Sequence, residues 1–441
     1  MLLGSRAWFF FACLLLVPWQ LWHVANHSQF LRVPLPTGDG PDYETIGYSL
    51  SVGKGFAFAW DDPDWQGPYL ADEAGNQYPH LKSHSHNGTT TLRPPFLPIV
   101  ISIVYRLVGR GEIAFAFIRC LSALSIAIAG SLAVLIAFEI VSRITASYWV
   151  RQVAASGTLL LALLDSNTRR YAADFLTEPF ALLWTTIFAT VAIKLDDEHP
   201  KTKSIVLGIV MAAMVATRTI AIGWVPGVML LLYWTTPKLK SRASLHFLLT
   251  LSLLLSPWWI RNCYHLGSFM PMGAQGPTSI LGGYSTEALN DDGNWRPDAE
   301  QRLRESVKDK HWTSLESERQ LAILAAKETR TWIGENFAHL PTLMALRIKS
   351  HWGPYFGQSL IWRFGMLLGV IALIIYRRRE AYWMLGLPII STITVMLLYE
   401  TGGRFLVPLY GLLYALAGIG VAMAISKSVS LSQTIRLPGR T

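Results

Sequence analysis

The stretch Ala7-Trp8-Phe9-Phe10-Phe11-Ala12-Cys13-Leu14-Leu15-Leu16-Val17-Pro18-Trp19-Gln20-Leu21-Trp22-His23-Val24, preceded by Arg6, decides the fold. As a helix it would extend about 27 Å, close to the thickness of a hydrocarbon core. It has no clear small-x-small cleavage site, so it reads as an uncleaved signal anchor. Comparable apolar runs recur at about 113–140, 178–195, 243–260, 357–376, 381–399 and 404–425, with shorter ones at 153–165, 204–217 and 219–235. The chain has 441 residues, of which 51% are hydrophobic and only 15% charged. A soluble domain carries about a quarter charged residues, so the expected class is an all-α polytopic membrane protein.

Basic residues set the sides. Arg143 and Arg151, Lys201 and Lys203, Lys238 to Arg242, Arg377-Arg378-Arg379, and the tail residues Lys427, Arg436 and Arg440 all read as cytoplasmic. The run 95–108 is too short to cross and opens on Pro94-Pro95, so it reads as re-entrant or interfacial. That parity leaves about ten transmembrane helices with both termini inside. The expected organisation is a first span at 1–25, an external loop at 26–112 with interfacial helices, and a bundle at 113–260 with a second external loop near 166–178. An external segment at 261–356 with a helical pattern between about Leu315 and Phe337, C-terminal spans at 357–426 and a cytoplasmic tail at 427–441 complete it.

The net charge of +9 would point to nucleic acid in a soluble protein. Here the basic residues lie between apolar runs, where the positive-inside rule accounts for them, so no nucleic-acid partner is expected. Cys13, Cys120 and Cys263 have no ligand spacing, which argues against a disulfide framework or a zinc site. Many of the 17 tryptophans fall near span ends, as interfacial anchors do.

The acidic cluster Pro41-Asp42-Tyr43-Glu44, followed by Gly53-Lys54-Gly55-Phe56, puts two carboxylates at the lipid–water boundary. Tyr43, Ile46, Gly47 and Leu50 share one helical face, which describes a short amphipathic helix lying on the membrane with Asp42 near its N-terminus. Spacing alone gives Asp42 two readings of equal weight, a helix cap or an ionised general base or cation ligand. Arg93 before Pro94-Pro95 is suited to bidentate phosphate contact, although taken singly a snorkelling arginine explains it. Arg169, Arg170, Asp174, Glu178, Arg218, Arg261 and Arg404 fall on the same expected side as Asp42, Glu44 and Arg93. Each alone is accounted for as an interfacial charge; together they point to a shared polar cavity. His80, His84 and His86 fit no standard zinc pattern and read as solvated loop histidines.

In order along the chain, these fragments resemble the integral-membrane C-type glycosyltransferases that use polyprenyl-phosphate sugars. That superfamily includes the protein O-mannosyltransferases and the lipid A aminoarabinose transferases. Residues 42–50 with 53–56 are similar to its first external loop and acidic motif, and Arg93 to Pro98 with Tyr105 to Gly109 to its basic-Pro-Pro segment. Tyr171 to Pro179 resembles the second external loop, and Thr217-Arg218, Pro257-Trp258 with Arg261-Asn262, and Arg404 with Pro408 follow in order.

The resemblance implies inverting transfer of a sugar from a polyprenyl-phosphate donor to an acceptor hydroxyl. The acceptor would be a lipid, glycan or protein, reached at the periplasmic face of a bacterial inner membrane and among membrane lipids. It makes Asp42 the general base, and gives Glu178 and Glu44 the positioning of the acceptor or of a divalent cation. Arg93, Arg261 and Arg404 would hold the donor phosphate, with Tyr43, Arg218 and Asp174 in support. A requirement for a divalent metal is left open. The rival reading is a transporter or flippase for lipid-linked or anionic substrates, which would place its ionisable groups near the bilayer midplane on interrupted helices. A third is a non-catalytic scaffold in envelope assembly.

Overall fold

The computed structural model describes residues 4–36, 38–71, 86–194, 199–353, 360–376 and 379–435. Sequence readings at His80, His84, Arg377, Arg378, Arg436 and Arg440 lie outside them. The protein is all-α and polytopic: the described residues hold a single two-stranded ladder, Ala57–Phe58 against Gly88–Thr89, and are otherwise built from helices.

Among the described residues six helices are long and apolar enough to cross a membrane: Ser5–Ala25, Glu112–Ile144, Pro200–Thr217, Ser241–Leu266, Arg379–Leu397 and Arg404–Ser426. Shorter apolar helices lie at Tyr148–Leu164, Thr219–Thr235 and Arg363–Tyr376, and Glu178–Lys194 is a further one. Each of these ten falls on one of the ten apolar runs. Burial separates an axis from a periphery. The Arg404–Ser426 window is 94% buried and that of Glu112–Ile144 is 78%, whereas Ser5–Ala25 and Ser241–Leu266 are each 28% buried. The peripheral pair turn Phe10, Leu14, Leu249 and Leu253 outward, as a lipid-facing surface requires.

The helix Phe96–Val108 has 13 residues and rises only about 20 Å, short of the roughly 30 Å hydrocarbon core. Ile99, Ile103 and Leu107 face outward along one stripe, while Leu97, Ile101, Val104 and Tyr105 are buried on the other. Its neighbour Gly40–Ser51 corrects the expectation of an amphipathic helix lying on the membrane. Every residue from Gly40 to Ser49 is buried. The two helices touch so closely that a methyl group on Gly47 would lie 2.5 Å from Ile101. The apparent apolar face was real, but the opposite face is covered too, by charge-satisfying groups rather than by water.

The polar segment packs on the same end of the bundle as this helix. Its long helix, Ser314–Glu335, begins at a Thr313 cap and carries Glu318, which is 2% exposed. Glu318 accepts from the Thr90 hydroxyl at 2.6 Å, the Thr91 N–H at 2.8 Å and hydroxyl at 2.6 Å, and faces His86 Nε2 at 2.7 Å. A buried carboxylate with so many partners fastens the segment to the loop that carries Arg93.

Candidate functional site

The cluster begins at the start of the Gly40–Ser51 helix. Asp39 occupies the N-cap position without a side-chain capping bond, and Asp42 sits inside the first turn. The capping reading of Asp42 is therefore set aside. Its carboxylate turns instead to Arg93, whose Nε donates to Asp42 Oδ2 at 2.8 Å and whose Nη2 reaches the same oxygen. Pro94-Pro95 and the helix behind them hold Arg93 in place, and its guanidinium lies 5.5 Å from the centre of the Tyr43 ring.

From Arg93 the charges alternate. Arg93 Nη2 is 2.9 Å from Asp39 Oδ1, and the other oxygen, Asp39 Oδ2, is 2.9 Å from Arg404 Nη1. Arg404 Nε pairs with Glu178 Oε1, which also accepts from Arg218 Nη1 at 2.6 Å. The line Asp42–Arg93–Asp39–Arg404–Glu178–Arg218 thus joins three carboxylates to three guanidiniums. They come from the first loop, from the start of the Glu178–Lys194 helix, from the end of Pro200–Thr217 and from the turn Arg404–Leu409. Glu178 is fully buried, and its Oε2 has no hydrogen-bond partner among the described residues. Gln275, from the polar segment, closes the network above. With its amide oriented to suit both neighbours, it accepts from Arg93 Nη1 at 2.8 Å and donates to the Leu92 carbonyl.

Burial disfavours ionising Asp39, but Arg93 and then Arg404 outweigh it and hold its carboxyl well below the ordinary carboxylate range. The stability this contributes is present above the ordinary carboxylate range and is lost as pH falls through the lower folded-state value. Burial, helped by the Asp39 and Glu178 carboxylates and opposed by Arg93 and Arg218, pushes Tyr43 up to about 12, so it stays a neutral phenol at this site. Asp174 moves the other way: burial raises it, against the Phe175 N–H that it accepts at 2.8 Å. A methyl on Gly40 would lie 3.0 Å from Asp174 Oδ1, so Asp174 backs the turn that presents Asp39.

Three residues named from the sequence lie elsewhere. Glu44 is fully buried on another face of its helix, where Oε1 accepts from Tyr105 Oη and Arg110 Nε at 2.7 Å each, and Oε2 from Trp65 Nε1 and, at 3.4 Å, Tyr69 Oη. Arg261 donates to the carbonyls of Thr90 at 3.0 Å and Phe56 at 3.2 Å, between the Phe56 and Trp258 rings at 4.9 Å each. Arg169 is likewise apart, 3.0 Å from His23 Nε2.

Two others were missed. Asp39, which joins the two halves of the network, lies outside the Asp42–Glu44 pair that the sequence puts forward; its signal is the Gly38-Asp39-Gly40-Pro41 turn. Arg119, inside an apolar run, donates to the carbonyls of Ala173 and Arg32 at 2.7 Å and Phe30 at 3.2 Å. It ties the loops bearing Asp39 and Glu178 together, and nothing in a hydropathy pattern signals that.

The donor set does not suit a divalent ion. Among the described residues no three His, Cys, Asp or Glu side chains come together in a metal-holding group. Asp39, Asp42 and Glu178 each already face a guanidinium, whose charge would repel a second cation.

The fold and site thus define a polytopic helical membrane protein with a buried anion-ready network at one end of its bundle. Its fold is similar to that of the oligosaccharyltransferase of Archaeoglobus fulgidus. Against that enzyme in complex with zinc and sulfate the TM-score is 0.50 at 12% identity, covering 96% of this chain and 49% of that one. Against the same enzyme tethered by a disulfide to an acceptor peptide containing the NVT sequon, the TM-score is 0.50 at 15% identity, covering 96% and 50%. The chain therefore spans about half the length of those proteins. No family model matches the chain, and no curated protein sequence matches it.

Proposed function

We propose that the protein is a membrane glycosyltransferase that moves a sugar, with inversion, from a polyprenyl-phosphate donor to an acceptor hydroxyl. The reaction would take place at the external face, periplasmic in a bacterial inner membrane. The observation that carries this reading is the alternating line of carboxylates and guanidiniums at one end of a bundle with the oligosaccharyltransferase fold. A transporter would place such groups along the bilayer midplane.

The chemistry follows from competition for the arginines. In the free protein, the guanidiniums that depress Asp39 also tie it up, so it is a poor base. A donor phosphate offers Arg93 and Arg404 a better-charged partner, with bidentate geometry. As they turn to it, an aspartate loses its counter-ions and gains a neighbouring negative charge. Both changes raise its proton affinity toward the range a general base needs. The acceptor hydroxyl gives its proton to that carboxylate as its oxygen attacks the anomeric carbon, and the glycosidic oxygen leaves with the lipid phosphate. Arg93 and Arg404 stabilise the charge that grows there. The resemblance assigns the base to Asp42. Asp39 lies in the same network with a side chain 26% exposed against 13% for Asp42, and is the better placed to meet an acceptor. Arg261, held between carbonyls and aromatic rings, would meet the donor only from the side of Phe56.

The test is transfer from radiolabelled polyprenyl-phosphate hexoses and pentoses by purified protein in lipid vesicles. Absence of both transfer and donor binding with every donor would end this reading. Arg93→Ala is expected to raise the donor concentration for half-maximal rate by about ten- to a hundred-fold, the worth of a charged hydrogen-bonded contact. An unchanged donor dependence would remove Arg93 from the phosphate site. Treatment with EDTA is expected to leave the rate unchanged, and loss restored by added zinc or manganese would show that the arginines do not replace a metal.

A further inference from the structure

Arg404 projects from a turn closed by Arg404 N–H to the Thr401 carbonyl at 3.3 Å, by Leu406 N–H to the Gly403 carbonyl at 3.0 Å and by the side chain of Glu400. The turn follows the helix Arg379–Leu397 and passes through Gly402 and Gly403, both left-handed at φ 63° and 80°. Two such residues in succession give the backbone wide freedom, so contacts from outside the turn add to what fixes the direction of Arg404. The outside contacts come from the polar segment. They reach the turn chiefly through His351, which meets the turn's own Glu400; each is 0% exposed.

Glu400 Oε1 accepts the N–H of Thr401 at 2.7 Å and of Gly403, the residue before Arg404, at 3.0 Å. Its other oxygen, Oε2, takes Nδ1 of His351 at 2.7 Å, from the last turn of the helix Leu340–His351. One turn earlier on that helix, Arg347 donates to the carbonyls of Met396 and Gly283 at 2.8 Å each. Asn294 Oδ1 accepts the Gly402 N–H at 2.9 Å. The turn is thus held by its own Glu400 and, from far away in sequence, by His351, Arg347 and Asn294.

We propose that His351 and Glu400 form a positioning pair for Arg404. Glu400 folds the Thr401–Gly403 backbone around one carboxylate oxygen, and His351 fixes that carboxylate against the polar segment. Arg404 is thereby aimed at Asp39 and Glu178. Neither residue of the pair touches the reacting groups. The functional consequence rests on the reading above, that Arg404 holds the donor phosphate; the geometric one does not.

Two measurements separate them. The first needs no substrate: modification of Arg404 by a dicarbonyl reagent, followed by mass spectrometry in the intact reconstituted protein. His351→Ala is expected to raise the modification rate at Arg404 by about tenfold or more while Arg119 stays protected, and His351→Asn, which keeps a donor near Nδ1, to restore protection. Equal protection of Arg404 in wild type and His351→Ala would overturn the proposal; so would equal gains at Arg404 and Arg119, which would mean general loosening. The second is transfer. His351→Ala is expected to raise the donor KM about tenfold with a smaller change in kcat, and to have no further effect in an Arg404→Ala background. Multiplying losses in the double variant would overturn positioning through Arg404. If the wild type neither binds nor transfers a donor, the functional reading fails and the modification experiment still decides the pair. Should His351→Ala fail to fold, Glu400→Ala serves. It removes the acceptor of the Thr401 and Gly403 N–H groups and leaves His351 in place, so modification of Arg404 is expected to rise about tenfold while Arg119 stays protected; equal protection of Arg404 in wild type and Glu400→Ala would overturn the proposal.

Discussion

Asp39→Asn is expected to reduce sugar transfer by about a hundred- to ten-thousand-fold, the usual range for removing a general base, with the donor KM unchanged or lower. Asn keeps the shape of Asp, so the turn at Gly38 to Gly40 should persist. Arg93 retains Asp42 and Arg404 retains Glu178, so neither guanidinium is left without a carboxylate. A carboxylate that competed with the phosphate for both arginines is gone, which is why KM should not rise. This pattern, kcat lost and binding kept, separates a base from a phosphate ligand. Asp42→Asn is the paired measurement. Its side chain is the less exposed of the two, so a smaller loss is expected. If Asp42→Asn abolishes transfer while Asp39→Asn does not, the base is Asp42, as the resemblance alone would have it. Wild-type rates in both variants would remove the base from this turn.

Glu44→Ala is expected to act on stability, by about 3–5 kcal/mol, the cost of stripping one partner from a buried ion pair. Arg110, 10% exposed in its side chain, would keep its charge with the carboxylate gone, and the Tyr105, Tyr69 and Trp65 donors would lose their acceptor together. The readout is a lowered thermal midpoint in detergent. Glu44→Gln keeps the volume and one acceptor oxygen, enough for the Tyr105 side or the Trp65 side but not both, and should fall less. The resemblance gives Glu44 a part in positioning the acceptor. A Glu44→Ala protein with the wild-type midpoint and no transfer would restore that role and remove the structural one.

How far each residue was legible follows from the kind of order it depends on. The ten apolar runs could be read because a span of lipid imposes its length and hydropathy locally, residue by residue. Arg93, Glu178, Arg218 and Arg404 could be grouped because each stands at a span end on one expected side, and a charge at that depth needs a partner. Asp42 and Glu44 were read as one pair because they are two residues apart. On a helix, that spacing puts them on different faces, and the structure sends one to Arg93 and the other to Arg110.

By itself, then, the sequence determined that this is a helical membrane protein, and its sidedness grouped Asp42, Arg93, Glu178, Arg218 and Arg404, since hydropathy and sidedness are properties of short stretches. The tertiary structure alone decided which carboxylate meets which guanidinium. It put Asp39 at the centre of the line, drew Glu44 and Arg261 away from it, and tied Arg404 to His351 through Glu400. Those pairings join residues dozens to hundreds of positions apart. They are fixed by desolvation, which forces every buried charge to find a partner in space and leaves no periodic trace along the chain.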